Sequence, residues 1–245
     1  RALLPRRHRY GWGASAISKP NSPRIAIRPR MVVFALTPFS ADAQPAALLR
    51  GASVLAEVGV TKLLLREPTL DATQVLALAE RLRPLFADGL YVHERCAGAR
   101  EAAAQLSLGL HLRGTSDWAA ERDRWPGPLG ASTHSEAEVL EAARIGLQWA
   151  FLSPLARPTS KPGDTRPTLG EARIIRAHDA ARAARASFDV YALGGATPDA
   201  AARLASRGIG VAVLGGLWST GADGAPEADA EAARAFVRAA GSHSC

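Results

Sequence analysis

Two segments near the carboxyl end decide the fold, Asp189-Val-Tyr-Ala-Leu-Gly-Gly195 and Gly210-Val-Ala-Val-Leu-Gly-Gly216. Each is a short apolar run that ends in paired glycines, and about one βα repeat separates them. In a parallel β/α barrel, the loops after the last two strands commonly form a phosphate site. Glycine lets the backbone approach an anion and direct N–H groups toward it. The segments therefore predict a barrel whose Gly194, Gly195, Gly215 and Gly216 bind phosphate, although either pair alone could be an ordinary turn.

Strand-like and helix-like stretches alternate through the rest of the chain. The predicted strands cover residues 31–36, 60–67, 90–95, 109–112, 129–133, 147–152, 190–193 and 211–214. Helical patterns follow them at 46–58, 71–86, 98–108, 117–125, 135–146, 169–186, from 198 onward, and at 225–239. Repeated βα units of this kind favour a (β/α)8 TIM barrel, with a doubly wound parallel sheet as the alternative.

Length and composition fit one domain. The chain has 245 residues, 47% of them hydrophobic, and a barrel of this type needs roughly 250 residues. No apolar run approaches the roughly 18 residues that span a bilayer, so a membrane partner is not expected. The two cysteines, Cys96 and Cys245, have neither metal-binding nor redox spacing. This usage predicts a reducing environment and a cytoplasmic location.

The basic charge of the chain is concentrated at its start. Residues 1–30 contain eight of the 30 basic residues and no acidic residue, which leaves 22 basic and 23 acidic residues in the remainder. We interpret residues 1–30 as a disordered basic extension and residues 31–245 as the folded domain. A targeting segment and a nucleic-acid-binding arm are alternatives for the extension. The nearly neutral domain predicts no nucleic-acid partner, and the sequence leaves open whether it forms a homo-oligomer.

Polar side chains concentrate where the predicted strands end, which is where barrel enzymes carry their reactive groups. His134 follows the fifth strand, and an imidazole can accept and return a proton near neutral pH. His93, Glu94, His111 and His134 also suggest a zinc site. Because His93 and Glu94 are consecutive in a strand, their side chains point in opposite directions, which argues against a complete zinc site. His111 precedes the strand end and is expected inside the barrel.

Four strand-end motifs together resemble the thiamine-phosphate synthase/TenI family. They are Leu65-Arg66-Glu67, Ser132-Thr133-His134, the Pro158-Thr-Ser-Lys-Pro-Gly163 loop and Leu193-Gly194-Gly195. The resemblance covers about residues 31–220 and implies a (β/α)8 barrel. Synthases of this family join an aminopyrimidine diphosphate to a thiazole phosphate using magnesium. Its TenI members include a thiazole tautomerase, which shifts a ring proton and needs no cofactor.

The resemblance also implies roles for individual residues. It makes His134 the acid/base residue of a tautomerase. Glu94 and Asp117 would be the magnesium ligands of a synthase. The residues expected to contact the substrate are Arg66, Glu67, Ser132, Thr133, Thr159, Ser160 and Lys161. Structural roles remain as alternatives: helix capping for Ser132 and Thr133, mutual pairing for Arg66 and Glu67, solvation for Lys161, and loop support for His134.

The chain departs from the synthase pattern where a diphosphate would bind. Leu64 and Pro68 stand where synthases usually have Gln and Lys, and Asp117 lies about one residue out of register. His93-Glu94-Arg95 replaces Asn-Asp-Arg, and Gly215 replaces a frequent serine. Because each lost charge-assisted contact costs roughly 1.5–3 kcal/mol, diphosphate binding should be weakened. The sequence therefore favours a thiazole tautomerase over a synthase, with a non-catalytic barrel that binds a phosphorylated metabolite as a further alternative.

Overall fold

A computed structural model describes residues 32–38, 44–157, 163 and 165–241. Eight parallel strands form a closed barrel in sequence order, and the last strand pairs with the first through Val211 and Val33. The strands are β1 (Val33–Leu36), β2 (Lys62–Leu65), β3 (Leu90–His93), β4 (Gly109–Leu112), β5 (Leu129–Thr133), β6 (Trp149–Leu152), β7 (Asp189–Leu193) and β8 (Gly210–Val213). The predicted (β/α)8 architecture is confirmed, and the doubly wound sheet is wrong.

Helices surround the barrel, and several of them begin at residues whose side chains cap them. Asp71 accepts the Gln74 N–H while the Gln74 side chain accepts the Asp71 N–H, which forms a capping box. Ser135 caps another helix, which ends at Gly146 in the left-handed conformation. The helices are α1 (Pro45–Glu57), α2 (Ala72–Phe86), α3 (Ala99–Leu106), α4 (Trp118–Arg124), α5 (Glu136–Ile145), α6 (Gly170–Ala184), α7 (Pro198–Ala205) and α8 (Ala230–Gly241).

The barrel interior is filled by aromatic side chains for which glycines make room. Trp149 lies against Gly130, where an added Cβ would be 2.0 Å from the indole Cε2. A Cβ at Gly109 would lie 2.3 Å from Tyr91, and one at Gly210 would lie 2.4 Å from Tyr191. The side chains that point outward from the strands instead pack with the helices in a separate core. Close packing inside the barrel therefore depends on residues without side chains at fixed places.

The segment between β8 and α8 corrects the sequence prediction. We predicted a helix over 225–239, whereas the structure has a small antiparallel hairpin, β9 (Trp218–Thr220) and β10 (Pro226–Ala228), before α8 begins at Ala230. Asp223 and Gly224 form the turn, and the Gly221 N–H donates to the Ala225 carbonyl. Asp-Gly is a common turn pair, and here it lies within the longer loop of residues 221–225 that joins the two short strands.

Two further sequence expectations concern the ends of the chain and membranes. The predicted basic extension lies outside the described residues, as does Cys245. Among the residues that are described, no helix is long and apolar enough to cross a membrane.

Candidate functional site

A cavity of about 280 Å³ opens at the mouth of the barrel, the end at which the strands terminate. All four glycines predicted to bind phosphate line it: Gly194, Gly195, Gly215 and Gly216. Its apolar wall includes Leu36, Leu193 and Leu214. Three arginines, Arg66, Arg157 and Arg166, line the same cavity. Glycine backbone, positive charge and an apolar wall together suit a small ligand that carries an anionic group.

The loop after β7 requires glycine for two reasons. Gly194 and Gly195 both have positive φ angles, 86° and 69°, which side chains disfavour. A Cβ at Gly195 would also lie 2.8 Å from the carbonyl carbon of Ala156. The carbonyls of Leu193 and Gly194 accept hydrogen bonds from Leu155 and Ala156, which fixes the loop against the segment after β6. Thr197, which also lines the cavity, caps α7 immediately afterwards.

Arg66 brings a charge to the cavity from the end of β2. Burial lowers its pKa, and the neighbouring Arg95 lowers it further. Because a guanidinium stays protonated, two such charges near each other favour an anion between or beside them. Glu67, the next residue, is fully buried, and its N–H donates to the Cys96 thiol over 3.2 Å. Arg66 and Glu67 were both predicted to contact the substrate; Arg66 lines the cavity, whereas Glu67 is buried beside it in sequence.

His134 lies just beyond β5, and its imidazole contacts two residues of the cavity lining. Its Nδ1 is 3.1 Å from both the carbonyl oxygen and the hydroxyl of Ser153. Nη1 of Arg166 lies 2.9 Å from Nδ1 and 3.3 Å from Nε2. A hydrogen on Nδ1 can be donated to the Ser153 carbonyl, while a hydrogen on Nε2 leaves Nδ1 to accept from Arg166. Nδ1 therefore has a partner in either neutral tautomer, because it can donate to Ser153 or accept from Arg166.

The two residues before His134 face opposite sides of β5. Thr133 is buried among the helices, and its hydroxyl donates to the Phe151 carbonyl over 3.1 Å. Ser132 points into the barrel, is half-buried, and lies 3.0 Å from Nε2 of His111. Thr133 thus has a structural contact, whereas the Ser132 hydroxyl lies beneath the mouth. Neither residue caps α5, because Ser135 does so.

Two histidines form the upper layer of the interior beside β3 and β4. His111 is fully buried inside the barrel, as the sequence predicted, and burial holds its pKa well below the usual range. His93 packs beside it with ring centroids 5.6 Å apart. Burial, followed by the charge of Arg66, lowers the pKa of His93 to about 3. Both rings are therefore neutral at physiological pH and add no charge below the arginines.

The carboxylates predicted as magnesium ligands are used by the protein itself. Oε1 of Glu94 accepts from the Arg113 N–H at 2.6 Å, from Arg113 Nε at 2.7 Å and from the Ser116 hydroxyl at 2.6 Å. Although partial burial opposes it, these hydrogen bonds lower the pKa of Glu94. Oδ1 of Asp117 caps α4 through the Ala120 N–H.

This donor set does not fit magnesium. The ion requires near-octahedral oxygen ligands, but an arginine cation already neutralises Glu94, and Asp117 serves a helix end. Across the described residues there is also no group of three or more His, Cys, Asp or Glu side chains placed to hold a metal. The predicted zinc site is not supported either. Both ring nitrogens of His111 already have protein partners, because Nε2 contacts Ser132 and Nδ1 accepts from Trp149.

Several residues of the site were missed or cannot be placed. Thr159, Ser160 and Lys161 lie outside the described residues, so their roles stay predictions. Arg157 and Arg166, which line the cavity, were not singled out. Arg157 precedes and Arg166 follows the Pro158–Gly163 loop after β6. One arginine on each side of a loop at a strand end was the signal that could have identified them. Arg113 and Ser116 were also missed, because their role appears only through contact with Glu94.

Comparison with known protein families identifies the family of this chain. The family model described as thiamine monophosphate synthase, TMP-TENI, matches residues 34–217. The chain belongs to the thiamine-phosphate synthase/TenI family. The matched region begins one residue into β1 and ends just after Gly216, so it contains β2 to β8, β1 apart from Val33, and the residues that line the glycine-rich cavity. Among functionally curated proteins, none matches the sequence.

Solved structures share the fold at low sequence identity. Thiamine phosphate pyrophosphorylase from Pyrococcus furiosus matches with a TM-score of 0.66 and 18% identity over 87% of this chain and 96% of that one. Thiamine phosphate pyrophosphorylase from Bacteroides thetaiotaomicron matches with a TM-score of 0.56 and 20% identity, covering 86% and 95%. N-acetylneuraminic acid synthetase from Leptospira borgpetersenii gives 0.61 at 10% identity, covering 86% and 82%. At these identities the likeness concerns the barrel fold.

Proposed function

We propose that this member of the family binds a thiazole phosphate and acts as a thiazole tautomerase, with His134 as the acid/base residue. The observation that carries the proposal is the combination, in one cavity, of four glycines and three arginines, with His134 bonded to the cavity residues Ser153 and Arg166. The phosphate would accept hydrogen bonds from the N–H groups of the two glycine loops and from the N-terminal end of α7.

The reaction needs one proton to move between two atoms of the same ring. One nitrogen of His134 accepts the proton from ring carbon, the imidazolium carries it, and the same group returns it at the new position. The ring then becomes aromatic, and no atom is gained or lost. A positioned histidine contributes about 10²–10⁴-fold to such proton transfers.

The synthase alternative is disfavoured by the side chains at β3 and β4. A synthase must release diphosphate with magnesium, whereas Glu94 is held by Arg113 and Ser116. Freeing Oε1 of Glu94 would break its hydrogen bonds to Arg113 and Ser116, and because the Arg113 side chain is half-exposed, the ion pair contributes about 1 kcal/mol or less. A tautomerase makes no such demand, because its ligand carries a single phosphate.

The test combines turnover with ligand binding. Purified protein is mixed with the non-aromatic thiazole phosphate, and formation of the aromatic ring is followed by ultraviolet absorbance. We expect turnover that chelators leave unchanged, and a loss of about 10²–10⁴-fold for His134→Ala. Arg176→Gln, on the outer surface of α6, is the control and should retain the wild-type rate. Equal rates for His134→Ala and wild type would remove the assigned role.

A matched pair of glycine variants tests the phosphate site. Gly195→Ala should weaken thiazole-phosphate binding, measured by calorimetry, because its Cβ would displace the loop near Ala156. Gly208→Ala has a similar positive φ of 74° but no atom within 4 Å of the added Cβ, so it controls for backbone strain alone. Formation of thiamine phosphate from both substrates at an ordinary enzymatic rate would overturn the tautomerase assignment. Tight binding without turnover would instead indicate a non-catalytic barrel.

A further inference from the structure

A buried hydrogen-bond chain runs from β6 through β4 to β5 inside the barrel. Nε1 of Trp149 donates to Nδ1 of His111 over 3.0 Å. Nε2 of His111 lies 3.0 Å from the hydroxyl oxygen of Ser132. Trp149 is 4% exposed and His111 1% exposed, whereas Ser132 is half-buried. The chain therefore leads from the closed interior toward the mouth of the barrel.

The direction of this chain follows from the chemistry of its first member. An indole N–H can only donate, so Nδ1 of His111 must be the unprotonated nitrogen. A neutral imidazole then carries its hydrogen on Nε2 and donates it to Ser132. With that bond made, the Ser132 hydroxyl oxygen is an acceptor, and its own hydrogen remains available for another partner.

We propose that Trp149 and His111 are positioning residues that hold the Ser132 hydroxyl as a hydrogen-bond donor to an acceptor atom of the bound ligand. This rests on the proposed function, in that the ligand is taken to be the thiazole phosphate. The partner of the Ser132 hydrogen would be an unprotonated ring atom or an oxygen of the ligand, because only such an atom can accept it. Through Ser132, the chain selects the ring end of the ligand, while the glycines bind its phosphate.

Packing inside the barrel holds the members of this hydrogen-bond chain in place. Gly130 leaves space for the indole, since a Cβ there would lie 2.2 Å from Nε1 of Trp149 itself. His111 also packs on Phe151 with ring centroids 4.3 Å apart, which restricts rotation of the imidazole. Burial keeps the pKa of His111 low, so the ring does not become a cation that would donate from both nitrogens. Both the place and the tautomer of His111 are thus fixed without the ligand.

The tautomer can be measured directly. In the wild-type protein labelled with ¹⁵N, side-chain correlation spectra should show His111 protonated on Nε2 and unprotonated on Nδ1. In Trp149→Phe, which removes the donor, the spectrum should show a mixture of the two neutral tautomers. A wild-type His111 protonated on Nδ1, or an unchanged single tautomer in Trp149→Phe, would overturn the chain as described.

Binding measurements test whether the hydrogen-bond chain positions Ser132 for the ligand. Calorimetry with thiazole phosphate should give about three- to tenfold weaker binding for Ser132→Ala, the loss expected for one neutral hydrogen bond. Trp149→Phe should lose about threefold, and the double variant should bind no more weakly than Ser132→Ala. His111→Gln, which keeps an N–H donor near the position of Nε2, should stay within about twofold of wild type. Losses in Trp149→Phe and Ser132→Ala that multiply would contradict action through Ser132.

Inorganic phosphate is the matched control ligand, since it lacks the ring that Ser132 would contact and should bind the glycine loops alone. Its affinity should be the same within about twofold in every variant, and a general loss would show that the variants disturb the fold instead. If thiazole phosphate fails to bind the wild-type protein, the proposed function fails. The histidine spectra then still decide whether Trp149 sets the tautomer of His111, so the two failures are distinguishable.

Discussion

His93 is a histidine that the fold keeps uncharged, and this makes stability depend on pH. In unfolded molecules its pKa returns to about 6.5, whereas burial and Arg66 hold it at about 3 in the folded state. Between these values the unfolded chain binds a proton that the folded chain does not. The free energy of unfolding therefore falls as pH decreases through this window, by up to about 1.4 kcal/mol per pH unit.

The measurement is urea unfolding between pH 5 and pH 8. The window lies above the ordinary carboxylate range, so the lowered pKa of Glu94 adds little to the slope. His111 and His178, whose pKa values are also lowered by burial, contribute with the same sign. His93→Gln should reduce the slope below pH 6 by about one proton. A variant slope equal to that of wild type would show that His93 is not held neutral.

Gly130 carries a second prediction at the scale of a residue. Its added Cβ would lie 2.0 Å from the indole of Trp149, against a strand that cannot move without opening the barrel. Gly130→Ala should therefore destabilise the protein by about 1–3 kcal/mol through overpacking, as measured by chemical unfolding. Gly241→Ala, which has nothing within 4 Å of the new Cβ, is the control and should be nearly neutral. Equal stability of the two variants would contradict the packing described for the interior.

At the scale of the element, the β9–β10 hairpin contacts both helix α1 and the end of strand β1 through Trp218. The indole of Trp218 lies over Gly51 of α1, and its Nε1 donates to the Leu36 carbonyl over 2.8 Å. Leu36 ends β1 and lines the cavity. The hairpin therefore links helix α1 to the strand end that forms part of the apolar wall.

Removing this link should cost stability. Because Trp218 is only half-buried, Trp218→Ala is expected to lower the free energy of unfolding by about 1–3 kcal/mol, less than the 3–5 kcal/mol typical of fully buried tryptophans. Trp218→Phe keeps an aromatic ring on Gly51 but loses the N–H donor, so it should lose about 1 kcal/mol. Thermal and urea unfolding measure both. An alanine variant as stable as wild type would mean that the hairpin does not brace α1.

The elements differ in how well the sequence predicts them. The helix from Asp71 to Phe86 is recovered because a capping residue and an apolar stripe specify it locally. Strand β5 is recovered residue for residue, since turn and capping residues bound it on both sides, Pro126-Gly127-Pro128 before it and Ser135 after it. The hairpin was missed because its strands are only three residues long, which is too short for an alternating pattern to be recognised. Its stability comes from tertiary contacts of Trp218, which no local pattern contains.

The site shows the same division between local and tertiary information. The place of the four glycines at the mouth of the barrel could be predicted, because glycine pairs directly after apolar strands are visible in the sequence itself. The bonds from Arg113 and Ser116 to Glu94 connect loops after different strands, and their register depends on the closed barrel. The role of Trp149 likewise depends on its neighbour His111, 38 residues away. Partners of this kind follow from the fold and not from spacing along the chain.

At the scale of the whole molecule, the two ends of the barrel have different tasks. The mouth carries arginines and strand-end glycines, so its charge and exposed amides favour an anion. The opposite end is closed by aromatic rings around Lys62, whose Nζ donates to the Tyr191 hydroxyl over 2.7 Å. Burial lowers the pKa of Lys62, although the nearby Asp189 opposes that shift. Aromatic packing thus closes one end of the barrel, while the charged cavity lies at the other, where barrel enzymes carry their active sites.

Closure of the barrel predicts that residues 1–30 can be removed without loss of stability. Every strand from β1 to β8 has two neighbours drawn from residues 33–213, so no pairing in the barrel requires the basic segment. A chain starting at Met31 should unfold within about 2 °C of the full chain in calorimetry. The deletion removes eight positive charges and no negative one, so the protein should also elute earlier from a cation-exchange column. A thermal midpoint lowered by many degrees would show that the segment packs on the barrel, and the domain would then have to be redrawn to include it.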